Sequence, residues 1–105
     1  MATSGNYKTV IVETFYPSDT SGRHGLVHVR PAKRQVFPQD LFVECSKDLI
    51  DTKRFRVGTK FRLGAKLTDR EGGTPFLYSY YGWGYEVVSD EEFERLFPDP
   101  ERSAI

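Results

Sequence analysis

The sequence predicts a mostly β fold: a small antiparallel barrel of five or six strands, OB-like or SH3-like, with one short C-terminal α-helix. Three observations lead there. Between residues 55 and 68, Phe55, Val57, Phe61, Leu63, Ala65 and Leu67 share one parity, while Arg54, Arg56, Lys60, Arg62 and Lys66 share the other. Such period-2 alternation marks a strand with one face in a core and one in solvent. Short runs rich in β-branched and aromatic residues recur between turn-forming Gly, Pro, Ser and Asp, as in small barrels. Ser89 to Phe97 alone carries a helical pattern.

Tyr7 to Tyr16 reads as the first strand, with Ile11 and Phe15 on one face and Val10, Val12 and Tyr16 on the other. Apolar residues on both parities imply a strand that bends or is buried on both sides. Pro17 to Gly25 is a loop, and Leu26 to Arg30 a short second strand. Pro31 to Pro38 is a second loop. Leu41 to Cys45 is a third strand with Leu41, Val43 and Cys45 on one face, and Ser46 caps a helical turn at Ser46 to Asp51.

Gly58 and Thr59 interrupt the alternating segment, placing the main strand at Lys60 to Thr68. Asp69 to Thr74 is a hairpin loop in which Gly72 and Gly73 are free to take positive φ. Pro75 to Tyr81 returns as the partner strand, Gly82-Trp83-Gly84 is a kink or bulge, and Tyr85 to Val88 is the last strand. Ser89 and Glu92 form a capping box, and Asp90, Glu91 and Glu92 sit where the helix dipole favours negative charge. Phe93, Leu96 and Phe97 supply the apolar stripe, and Pro98 and Pro100 end the helix. One domain is expected over 7–97, with the helix at 89–97 and flexible tails at 1–6 and 98–105.

The chain has 105 residues, enough for one core. Eight Phe, six Tyr and one Trp can fill that core despite an apolar fraction of 38%. No stretch approaches the roughly 18 consecutive apolar residues of a membrane span. Met1 to Tyr7 lacks the apolar core of a secretory signal, and the single Cys45 excludes an internal disulfide. A cytoplasmic protein with no membrane partner is expected.

Formal net charge is zero but unevenly laid out: residues 51–68 hold six basic residues and one acid, whereas 89–105 hold six acids and two arginines. Little of this suits catalysis. His24 and His28 are four apart, a zinc spacing on a helix, but on a strand they lie roughly 13 Å apart. Cys45 shares the parity of Leu41 and Val43, as a buried, inert thiol does. No nucleophile elbow, Walker loop or dinucleotide fingerprint is present. The expectation is therefore a non-enzymatic, macromolecule-binding domain that uses no cofactor and no metal.

The remaining signal is a basic strand beside flat rings. Arg54, Arg56, Lys60, Arg62 and Lys66 project one way, and Tyr81 and Trp83 stand in the tyrosine-rich return segment YSYYGWGY. Cations for phosphates together with rings for base stacking point to single-stranded nucleic acid. Tyr, Trp and Arg are also the residues enriched at protein interfaces, so a protein partner, with a homodimer as its variant, is the alternative. Neutral overall charge leans toward that alternative.

Overall fold

The alternating segment becomes the central strand. A computed structural model describes residues 7–17, 27–69 and 72–100, and in it β4 spans Lys60–Thr68 as the alternation predicts. Along one edge lies antiparallel β1 (Lys8–Phe15), with Val10 opposite Leu63 and Val12 opposite Phe61. Along the other edge β4 meets β6 (Glu86–Val88) at residues 60–62 and β5 (Phe76–Tyr78) at 66–68. Antiparallel β2 (His28–Pro31) extends the sheet beyond β1, and β3 (Val43–Glu44) extends it beyond β5. The strand order is β2-β1-β4-β5-β3 with β6 also on β4. Among the described residues the chain is thus mostly β, a six-stranded sheet with one short α-helix, α1 (Asp90–Leu96).

Two parts of the expected architecture differ. Pairing is not antiparallel throughout, because β3 runs parallel to β5. Nor does a ladder join the end strands β2 and β3, so the sheet is open where a closed barrel is expected. Pro31, at the end of β2, has no N–H to donate. Its carbonyl is taken by the Gln39 side-chain amide (3.2 Å). β3, at the other end of the sheet, is only two residues long.

The sheet buries residues on both faces. On one, Val10, Val12, Val29, Val43, Leu49, Phe61, Leu63, Ala65 and Leu77 form the main core. On the other, Ile11, Ala32, Val88 and Phe93 form a smaller cluster under α1. β1 therefore has the two-sided burial its mixed parity predicts. Ser89 caps α1, its hydroxyl accepting from the Glu92 N–H (3.0 Å). Ser46 likewise caps a 3-10 turn at Lys47–Ile50.

Two apolar residues depart from expectation. Leu67 is 53% exposed although it shares the parity of Phe61 and Leu63. The β1 ladder ends at Lys8 opposite Ala65, so the last residues of β4 have lost a neighbour on that side. Leu96 is exposed because α1 docks along Phe93 and Phe97, and Leu96 lies about 100° round the helix from Phe97. The third strand is shorter than Leu41 to Cys45, but both of those residues still pack on the main core. The partner strand likewise ends at Tyr78 rather than Tyr81. The expected tail at 1–6, residues 101–105 of the expected tail at 98–105, His24, and most of the 17–25 loop lie outside the described residues.

Candidate interaction surface

The seven residues singled out from sequence fall into three groups. Arg54 and Arg56 precede β4 in an exposed turn. Arg54 is 3.5 Å from Asp48 and its guanidinium lies over the Phe55 ring. Lys60 and Arg62 stand on β4 facing α1. Lys66, Tyr81 and Trp83 gather at the far end of β4, about 20 Å from the turn at 3.3 Å per residue. The five cations do not form one surface.

The middle group is neutralised within the fold. Lys60 Nζ lies 3.2 Å from Asp90 and 3.7 Å from Glu13. Arg62 bonds Glu86 at 2.6 Å through one guanidinium nitrogen and Glu92 at 2.8 Å through another. Register explains these pairs: Glu86 stands directly opposite Arg62, and Glu13 opposite Lys60. The hydrogen bonds that Arg62 donates to Glu92 and then Glu86 raise its pKa, keeping it cationic at any working pH. The acidic C-terminal segment thus lies over the basic strand. The charge blocks were visible in the sequence. Their superposition was not, since it depends on the register of β6 with β4.

That register contains the most unusual local feature of the chain. Between their two ladders, residues 63–65 of β4 face residues 79–85 of the returning chain. The surplus is thrown out as an excursion built on a 3-10 turn at Tyr81–Trp83, closed by a Trp83 N–H bond to the Tyr80 carbonyl (3.1 Å). Two glycines shape it. Gly84 has φ +79°, a left-handed conformation. Gly82 lies against the Tyr80 ring, where a Cβ would come within 2.5 Å of a ring carbon.

The excursion carries a chain of rings. Tyr80 contacts Tyr81 (centroids 4.9 Å) and Trp83 (5.6 Å), and Trp83 meets Tyr7 edge-on at 4.3 Å. Trp83 also passes over Gly64, whose missing side chain leaves the sheet flat there. Lys66 Nζ sits 5.4 Å from the Tyr7 centroid. Tyr81 is 72% exposed, Trp83 50% and Tyr80 40%. Tyr7, Tyr80 and Lys66 make one surface with the two rings named from sequence. The Gly82/Gly84 pair was the readable signal for it.

Chemically this surface offers flat apolar area, three phenol groups and one ammonium. Cys45 lies elsewhere, and burial pushes its thiol up to about 11. It is therefore protonated and weakly nucleophilic near neutrality. Among the described residues, no three His, Cys, Asp or Glu side chains gather as metal ligands, and no helix is long and apolar enough to cross a membrane. Comparison with family models, curated proteins and solved structures finds no match to this chain.

Proposed function

We propose that this chain is a non-enzymatic protein-interaction module with a strongly bent, barrel-like sheet, whose contact surface is the aromatic excursion at Tyr80, Tyr81 and Trp83. The observation that carries the reading is how one sheet face is divided. Lys60 and Arg62 are held by Asp90, Glu13, Glu86 and Glu92, and the open remainder is aromatic. A phosphate backbone would have to displace those carboxylates, whereas exposed Tyr and Trp rings held by glycines are what protein interfaces favour. Rigid rings also lose little conformational entropy on binding. A single free cysteine suits an intracellular setting.

Binding of single-stranded nucleic acid is the second reading, supported by Lys66 beside the Tyr7 and Trp83 rings. Titration of labelled single-stranded DNA and RNA at two salt concentrations separates the two. The protein-binding reading expects no complex at low salt up to about 100 μM protein, the weak end of non-specific electrostatic binding. It also expects co-purifying proteins, or a dimer seen by light scattering, to be lost with Trp83→Ala and kept with Arg54→Ala and Arg56→Ala. Oligonucleotide binding that weakens with salt, and whose log–log slope falls by about 0.7 in Lys66→Ala, overturns it in favour of nucleic acid.

A further inference from the structure

A different edge of the sheet carries an inference beyond the aromatic surface. Beyond the end of β2, the outer edge of β1 is finished by a side chain. The Ile11 N–H donates to Gln35 Oε1 (2.9 Å), and Gln35 Nε2 donates to the Ile11 carbonyl (2.7 Å). The Ile11 carbonyl also accepts from the Ala32 N–H (2.9 Å), so the Gln35 amide completes at Ile11 the pairing that the chain after β2 makes only in part. Antiparallel pairing alternates between residues that bond one neighbour and residues that bond the other. Ile11 points its backbone groups away from β4, so Thr9, two residues earlier and paired with Gly64, does the same. Thr9 is exposed, and among the described residues nothing takes its N–H or carbonyl.

The space beyond Thr9 is shaped for an extended chain. A cavity of about 430 Å³ opens there, lined by Lys8, Thr9, Gln35, Val36, Phe37 and Phe97 among others. Phe37 packs on the main core and Phe97 on the cluster under α1, so the two rings stand on opposite faces of the sheet. A strand lying in the plane of the sheet would send alternate side chains to one ring and then the other. Val36, 90% exposed, gives it a further apolar contact. Lys8, which lines the cavity and shares a sheet face with Val10, Val12 and Phe37, has no ion pair among the described residues, which favours acids on that face of the occupant.

We infer that this edge of β1 is a β-strand-addition site: an extended partner segment alternating apolar and acidic residues pairs its backbone with Thr9, its apolar side chains toward Phe97 and its acids toward Lys8 on the opposite face. Main-chain bonds supply affinity in this mode, and the flanking pockets supply side-chain preference.

Two probes test it, blocked hexapeptides alternating valine with glutamate and valine with lysine. The readout is amide-resolved NMR and hydrogen exchange on the full chain. In the free protein the Thr9 amide should exchange much faster than that of Val10, which bonds β4. The glutamate peptide should bind with Kd of about 1 mM, shift the Thr9 amide and slow its exchange, and the lysine peptide should bind at least about tenfold more weakly. Val36→Asp, at an exposed position, should weaken the glutamate peptide by about tenfold, and Thr9→Pro should remove binding by deleting the donor.

Thr9 protected as well as Val10 in the free chain overturns the inference, as do equal binding of both peptides or binding that leaves Thr9 unmoved. Peptide that shifts Trp83 and not Thr9 would support the aromatic surface while sinking this one, so the two readings fail separately.

Discussion

Replacing Gly82 with alanine should rearrange the aromatic surface without unfolding the domain. An added Cβ would lie 2.5 Å from the Tyr80 ring, closer than atoms tolerate, so something must move. What it meets is a half-exposed side chain and not backbone, and Tyr80 has solvent to swing into. The loss is then confined to the ring contacts of Tyr80 with Trp83 and Tyr81, about 0.5–1.5 kcal/mol for such a pair. Trp83 is the sole tryptophan, so its emission reports that contact directly. Urea unfolding should show a decrease of about 1–3 kcal/mol for the two pairs, with a red-shifted native emission as Trp83 loses a covering ring. Stability lowered by more than about 3 kcal/mol would mean that Tyr80 is locked into the core. Unchanged emission would mean that Tyr80 does not rest on Gly82. Either result refutes the reasoning.

Three further outcomes are expected. Leu63→Ala, in the centre of the main core, should lower stability by about 2–5 kcal/mol in chemical denaturation, whereas Leu67→Ala, four residues along the same strand parity, should stay within about 1 kcal/mol. Ser89→Ala should cost about 1 kcal/mol, because the Glu92 N–H loses its acceptor at the start of α1. Cys45 should make the domain less stable in alkali. Its folded pKa, raised by burial to about 11 from the ordinary 9.0 of the thiol, means the unfolded chain releases its proton first. Stability is fully present below about pH 9 and falls by about 2–3 kcal/mol as pH climbs to about 11. Comparing melting of the parent and Cys45→Ala across that range isolates the contribution, and parallel curves would refute it.

The elements that were legible in the sequence are those that a local pattern determines. β4 has both ends where the alternation and Gly58-Thr59 place them, and α1 starts at its capping serine. Mixed parity in β1 anticipates a strand buried on both faces. What was not legible depends on partners distant in sequence. Leu67 has the parity of a core residue, and only the end of the β1 ladder opposite Ala65 leaves it exposed. Parallel pairing of β3 with β5 rests on two residues and has no local signal. For the candidate site, the basic parity of β4 was correct as geometry, but it says nothing about what lies over it. Glu86 reaches Arg62 only because the intervening excursion absorbs the surplus residues between β5 and β6.

The pairing of β1 with β4 also sets the order in which the chain can assemble. Val12 meets Phe61 and Lys8 meets Ala65, so the two strands are joined across some 50 residues. At about 5–20 residues per second of synthesis, β1 waits roughly 3–10 s for the strand that covers it. During that interval its Val10-Ile11-Val12 run, apolar on both faces, has as native partners only β2, which reaches as far as Val12, and the Ala32 and Gln35 contacts at Ile11. The C-terminal half has no such delay, since β4, β5, β6 and α1 follow one another directly along the chain. Closing the long loop to β1 is therefore the slow, committing event, and Val12→Ala should retard refolding more than it hastens unfolding. On the ribosome, β1 waits longer for β4 than β3 waits for β5.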